Sequence, residues 1–494
     1  MLKKKILLNA FNMNCVGHIN HGLWTHPRDT STQYKTVKYW TELAQLLERG
    51  LFDGLFLADI VGVYDVYEGS VDLTLRESVQ LPVNDPLLTV SAMAAATEHL
   101  GFGVTVNLTY EAPYLLARRF STLDHLSDGR IGWNVVTGYL ESAARAMGLS
   151  EQIAHDERYD RADEFMDVVY KLWEASWDDD AVRADKRERI YADPSKVRRI
   201  DHHGRYYNVE GYHLSEPSPQ RTPVIFQAGS SGRGQAFSVQ HAECVFVSSQ
   251  SKPALRKQVA DVRAAAVRAG RDPNDVKFFM GISVVVAPTE EQARQKHAEY
   301  LSYANPEAAL AHYSSSTGID FSTYAPDEPI RFAKNNAIES AVKMLTVDRT
   351  DRTVRQLRQE MALGGRYPAI VGTPEQVADE LESWIEQTDI DGFNLARTVT
   401  PECYADFIDL VIPVLQARGA YKTAYEPGTL REKLYGAGRS HLPDSHAAAS
   451  HRSGHGEANA NVAGSGTRNS HADSNTDSPP STGTSTPTKD TQHA

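Results

Sequence analysis

The chain has 494 residues, 41% hydrophobic and 23% charged, an ordinary soluble composition with room for one large barrel or two to three smaller domains. Its net charge is -13, with 51 Lys and Arg against 64 Asp and Glu, which excludes the basic stripe of a nucleic-acid surface. No apolar run of about 18 residues exists to span a membrane, and Cys15, Cys244 and Cys403 form no CxxC pair, so neither a zinc ribbon nor a disulfide framework is indicated and a cytoplasmic, reducing setting fits.

Strand-like and helix-like segments alternate. The N-terminal MLKKKILLNAF has too short an apolar run for a signal peptide and no small-residue cleavage site, so Lys5–Phe11 is expected as a buried first strand. Thr36–Arg49 carries Trp40, Leu43, Ala44 and Leu47 at helical spacing, with Gly50 as its stop. Gly54–Asp59 is the second strand. Asn84-Asp85-Pro86 opens a helix, since proline suits a first turn. Gly101–Leu108 and Arg130–Val136 are the third and fourth strands, separated by a helix over Pro113–His125, and Asp156–Trp173 is a long helix. After an irregular insertion come strands at Thr222–Ala228, Glu243–Val247, Val276–Ala287 and Asp391–Leu395. Helices begin at Gly234, run through Ala269, and end with Tyr404–Arg418, and a second insertion precedes the eighth strand.

Eight strand–helix units predict an α/β (β/α)8 TIM barrel, with a doubly wound sheet as the rival. The insertions after strands two, four and seven are expected to cap the C-terminal mouth, where barrel enzymes keep their chemistry. Residues 1–440 form this domain. From 441 to 494 the chain is rich in Ser, Thr, Gly, Asn, His and Pro, too polar to offset its ordering entropy, and is expected to be a disordered tail.

Gln227-Ala228-Gly229-Ser230-Ser231-Gly232-Arg233-Gly234 follows a predicted strand and opens a predicted helix. Glycines admit an anion to backbone N–H groups, Ser230 and Ser231 add donors, Arg233 offers a full charge, and the helix N-terminus favours a phosphate. The same segment also suits a plain strand–helix turn. It is neither a Walker loop nor GxGxxG, and the chain shows no nicotinamide site. Asp59 ends the second strand, as a ligand-orienting carboxylate or a helix cap. Thr105, Asn107 and Asn134 are polar residues inside strands, placed to bond a planar heterocycle or merely one another. His155 and Tyr159, four apart, share a helix face. The first loop holds Asn14, Cys15, His18, His21, Trp24 and His26 in no zinc spacing and with no carboxylate, which favours a pocket wall with one or two catalytic histidines over a metal. Tyr64, Tyr139 and His312 are further mouth candidates.

The runs NAFNMNCVGHINHGLWTHP, ERGLFDGLFLADIVGVYDVY, VNDPLLTVSAMAAATEHLGFGVT, RRFSTLDHLSDGRIGWNVVT, HDERYDRADEF and EPSPQRTPVIFQAG resemble the nitrilotriacetate monooxygenase family of bacterial-luciferase-like flavin monooxygenases, from Lys3 to about Leu442. The resemblance implies non-covalent FMN, used as FMNH2 with O2 as co-substrate, held at Asp59, Thr105, His155, Tyr159 and Ser231. It implies a separate NAD(P)H:flavin reductase, a homodimer and a small apolar substrate. The first loop and the C-terminal REKLYG and LPDSH are similar to members acting on long-chain alkanes, which carries Cys15, His18, Tyr64, Gln80 and His312 over as pocket residues. YLSYANPEAAL and TGIDF are more similar to members acting on dimethyl sulfide. Tyr139 stands where the alkane-acting members have histidine, and tyrosine is no base at neutral pH. Hydroxylation of an alkane to the primary alcohol leads, with dimethyl sulfide second. A barrel lyase or isomerase acting on a phosphorylated substrate and a non-catalytic flavin-binding protein are the readings from other classes.

Overall fold

A computed structural model describes residues 4–229, 231–330, 352–365 and 367–452. Eight parallel strands close into a barrel: Leu7–Met13, Gly54–Ala58, Gly101–Asn107, Ile131–Val136, Val224–Gln227, Cys244–Val247, Lys277–Val286 and Gly392–Ala396. The first strand pairs with the second and the eighth, and the sixth with the fifth and the seventh, so no edge remains. The seventh strand outlasts its partners, and its upper end, Ser283–Val286, takes a short ninth strand, Ala369–Gly372, that the sequence pattern did not suggest.

The predicted helices form for the expected reasons. Thr36 caps Val37–Arg49 by accepting from the Tyr39 N–H, and that helix buries Trp40, Leu43, Ala44 and Leu47 against the strands. Pro113 opens Pro113–Leu126. The last expected helix is interrupted by a π-turn over Phe407–Val411. Pro413, two residues beyond it, has no N–H to keep the i→i−4 ladder in step.

Side chains alternate across a strand, so every second residue points into the barrel. The lower interior is filled by Phe11, Phe56, Phe226 and Phe279 with Val224 and Cys244. Two glycines make room for these rings. A Cβ on Gly103 would lie 3.0 Å from Phe56, and one on Gly132 2.6 Å from Phe226. The helix Leu430–Tyr435 plugs the N-terminal end, with Leu430 and Leu434 packed beneath the rings. Beside it the fully buried Arg431 donates to Glu243 at 2.7 and 3.1 Å and to the carbonyls of Thr222 and Ser440.

At the opposite end the insertions meet. Tyr67 and Leu73, from the loop after the second strand, pack on Leu310, Tyr313, Ile319 and Phe321 of the insertion after the seventh. Leu140 and Ala143, which follow the fourth strand, join Tyr64, Val79 and Ala308. The longer part of the insertion after the fourth strand contributes nothing to the cavity lining. Its hairpins, Val182–Ala192 and Ile200–Gly211, come after the helix His155–Tyr170 has carried the chain back down the barrel. The second hairpin, with Tyr212 and His213 just after it, flanks that helix and Pro113–Leu126 through Glu164, Tyr114 and Ser121.

The body also extends past the expected boundary at 440. Leu442, His446, Ala448 and Ala449 are buried, and the His446 imidazole bonds the His241 carbonyl at 3.0 Å. Sparse apolar residues in a polar run suffice here because the barrel supplies their partners. Beyond Arg452 the expected tail lies outside the described residues.

Removing one partner of a buried ion pair strands the other charge. Arg431→Met should therefore cost about 3–5 kcal/mol of unfolding free energy in a urea titration, and pairing it with Glu243→Gln should recover a large part.

Candidate active site

The inward residues change character as each strand rises. The third strand runs Gly103, Thr105, Asn107, the fourth Gly132, Asn134, Val136, and the second ends Phe56, Ala58 and then Asp59. Polar groups therefore surround the C-terminal mouth above a floor of aromatic rings. Together with the cap they enclose a cavity of about 490 Å³.

Asp59, Thr105, Asn107, His155, Tyr159 and Ser231 all line this cavity, as do His18, Tyr64, Gln80, Tyr139 and His312. One expected residue, Cys15, does not join them. Ser230 lies outside the described residues. Cys15 is fully buried but is not part of the cavity wall. Its Sγ faces the Gly17 carbonyl at 2.9 Å, and burial pushes its thiol up to about 12, so it is a packed thiol rather than a nucleophile. The loop it sits on turns back immediately to pair with Val83, which aims the side chain behind the wall.

On one side of the cavity, Ser231 caps Gly232–His241, accepting from the Gly234 N–H at 3.0 Å. The Tyr159 hydroxyl sits against this turn. A Cβ on Gly229 or Gly234 would lie 2.8 Å from it, so both positions need glycine. Arg233 is directed elsewhere than expected. It binds Asp160 and Asp163, because the neighbouring helix presents two carboxylates one turn apart. The cation that lines the cavity is instead Arg158, 2% exposed. Sequence reading passed over it, although His155, Arg158 and Tyr159 at i, i+3 and i+4 share one face.

Across the cavity, Asn134 donates to Thr105 Oγ1 at 2.8 Å, while its own Oδ1 is buried without a partner. Asn107 Oδ1 accepts from the Thr109 N–H, which turns its amide toward Gly138. Burial pushes Asp59 up to about 7, helped by Asp85 and opposed by the Ile60 N–H. It is thus a carboxyl poised between acid and anion near neutral pH.

The far end is aromatic. Tyr64 stacks on His312 with ring centroids 4.8 Å apart and donates to Gln80 Oε1 at 2.6 Å. His18 meets the Phe11 ring edge-on at 4.6 Å. Burial and then the nearby Arg397 hold its imidazole well below the usual range, so it is neutral. Tyr367, unremarked in the sequence, rests on Gly281, where a Cβ would lie 2.5 Å from its ring, and packs on Phe246 and Phe11. Among the described residues no group of His, Cys, Asp or Glu is arranged for a metal ion.

Residues 20–391 match the luciferase-like monooxygenase family. The chain belongs to it. It is 51% identical to the dimethyl-sulfide monooxygenase of Hyphomicrobium sulfonivorans over 91% of this chain and 94% of that protein. It is equally identical to the long-chain alkane monooxygenase of Geobacillus thermodenitrificans over 91% and 99%. A crystal structure of long-chain alkane monooxygenase superposes with a TM-score of 0.85, covering 91% of this chain and 100% of that one. This luciferase-like monooxygenase is therefore equally similar to a sulfide-named and an alkane-named relative. No helix among the described residues is long and apolar enough to cross a membrane.

An acid whose folded pKa is raised binds its proton more tightly in the native state. Its stabilising contribution is lost as pH climbs from the unfolded value, near 4, to the folded value, near 7. Asp59→Asn should remove that dependence. Between about pH 5 and about pH 8 the Tm of the flavin-free wild type should fall by a few degrees relative to the variant, in a differential scanning comparison of the two.

Proposed function

We propose that the cavity is an FMN site and that the chain is the oxygenase half of a two-component monooxygenase, inserting one atom of O2 into a small apolar molecule. The observation that carries the reading is the meeting, in one cavity, of a glycine–serine helix start with a polar strand edge above an aromatic floor. The residues present fit the cofactor. Asn134 Oδ1 is a buried acceptor with no protein partner, and the turn at Gly229 and Gly234 leaves space that a Cβ would take.

Tyr159, Ser231, Arg158 and His155 would hold the phosphate, with the N-terminus of Gly232–His241 behind them. Asp59, Thr105, Asn107 and Asn134 would bond the edge of the ring system. When bound and reduced, FMN supplies two electrons and activates O2 toward the substrate. The chain's own residues supply orientation and dryness. Phe11, Phe56, Phe246 and Tyr367 exclude water from the floor. His18, Tyr64, Gln80, Tyr139 and His312 face the substrate. His18, held neutral, offers one donor and one acceptor rather than a charge. The absence of a nicotinamide fingerprint supports a separate flavin reductase as electron source, and a homodimer is the assembly that the sequence resemblance implies.

A long-chain alkane, hydroxylated to the primary alcohol, is the leading substrate, supported by the pocket residues shared with the alkane-acting relatives and by the apolar aromatic end. Dimethyl sulfide is the second reading, favoured by Tyr139 and by the greater ease of oxidising a sulfur lone pair than an unactivated C–H bond.

With FMN, a flavin reductase and NADH, O2 uptake should rise on adding hexadecane or dimethyl sulfide, with oxygenated product matching the O2 consumed above the peroxide background. Ser231→Asp keeps a good helix cap but sets a carboxylate against the phosphate, and should weaken FMN binding about tenfold or more by fluorescence titration. FMN binding without substrate-dependent uptake would identify a non-catalytic flavin protein. No FMN binding at all would favour a barrel lyase or isomerase on a phosphorylated substrate.

A further inference from the structure

Arg397 stands directly past the eighth strand, and its N–H donates to the Phe11 carbonyl of the first at 3.4 Å. It is 3% exposed and is not part of the cavity wall. Its Nη2 donates to the carbonyls of Cys15 and Val16 at 2.9 and 2.5 Å. Its own carbonyl accepts from Asn20 Nδ2 at 2.7 Å, and Asn20 Oδ1 accepts in turn from the Gly364 N–H at 2.6 Å. One residue thus grips the first loop on both sides of His18, which lies between Val16 and Asn20 and is part of the cavity wall.

We infer that Arg397 is the positioning residue for His18, setting from outside the cavity where that imidazole stands within its wall. The loop is strained where it is gripped. Ile19, beside His18, has a φ of 60°, and a β-branched residue stays in the left-handed region only where its surroundings force it to. On the other side of His18, Gly17 is pressed so close to Ser78 that a Cβ would lie 2.2 Å from its carbonyl oxygen. The hydrogen-bonded anchors at Val16 and Asn20 hold the residues between them against relaxing.

Packing alone does not account for an arginine here. No carboxylate among the described residues pairs with it, and its Nη1 is buried without a hydrogen-bond partner. A buried cation without a counter-ion costs stability, whereas its Nη2 carries two N–H groups, one for each loop carbonyl. The charge acts on the same group as the grip. Burial first, then Arg397 and His21, hold the His18 imidazole neutral, so the residue that places His18 also keeps it from gaining a proton. The bearing of this on turnover rests on the function proposed above, in which His18 faces the substrate. The placement itself does not.

The test is the contact between the His18 and Phe11 rings, 4.6 Å apart. It is read as a nuclear Overhauser effect in deuterated full-length protein carrying protonated His and Phe, and assigned by its loss in His18→Gln. Wild type should show it. Arg397→Met, which removes the donors and the charge, should weaken or abolish it, leave FMN affinity unchanged and lower kcat about tenfold or more. In a His18→Gln background the same change should lower kcat by less than about twofold, since residues that act through one group are not additive. An undiminished ring contact in Arg397→Met overturns the inference, as does an equal loss of kcat that persists without His18. If Arg397→Met does not fold, Arg397→Lys, which keeps the charge on a shorter reach, takes its place: it should weaken the contact, and an undiminished contact overturns the inference. A weakened contact in a protein that oxygenates nothing would sink the proposed function and leave this inference standing.

Discussion

Barrel closure is the constraint from which the site follows. Once eight strands pair in a ring, alternate residues of each have nowhere to go but the interior, and their height is set by register. Phe56 and Phe226 reach the same level as Gly103 and Gly132, so two strands give up their side chains to admit rings from two others. One step higher the same strands carry Thr105 and Asn134, whose mutual hydrogen bond leaves Asn134 Oδ1 buried without a partner. Floor and rim are thus two consecutive inward positions of the same strands.

Electrostatics in the upper half is dominated by desolvation rather than by net charge. The chain carries an excess of 13 negative charges, yet the cavity is lined by the buried cation Arg158, by Asp59 near its midpoint at neutral pH, and by His18, held neutral. Arg397, also buried, donates to the carbonyls of Cys15 and Val16. It thereby anchors the first loop and at the same time discourages a second positive charge on it. A site with few fixed charges suits the proposed chemistry on an apolar substrate, where a stray proton is a side reaction.

The two ends of the barrel divide the tasks. The lower end is committed to stability: the Leu430–Tyr435 plug and the Arg431–Glu243 pair seal it. The upper end is assembled from separate insertions that meet through Tyr64, Val79, Leu140 and Ala308. The residues proposed to face the substrate therefore come from segments that share little except the cap, while those proposed to face the cofactor come from strand ends and one helix start. This separation allows relatives of equal identity to carry different substrate names on one scaffold.

The eight strands were legible because hydrophobic period and turn residues are local properties, and the glycine–serine turn was legible because a strand followed by Gly and Ser before a helix is a local pattern too. The sequence by itself also identified His18, Tyr64, His155 and Tyr159 as candidates through their loops and spacing. What it could not decide is direction and company. Cys15 stands in the same loop as His18, but a turn of a few residues aims it behind the wall. Arg233 stands in the same turn as Ser231, but two carboxylates on another helix claim it. The His21–His312 pair joins residues 291 apart in sequence, and Tyr367 reaches the floor only because Gly281 on another strand is bare. Such outcomes depend on which side chains the fold brings within a few ångströms, and no periodicity along one chain encodes that.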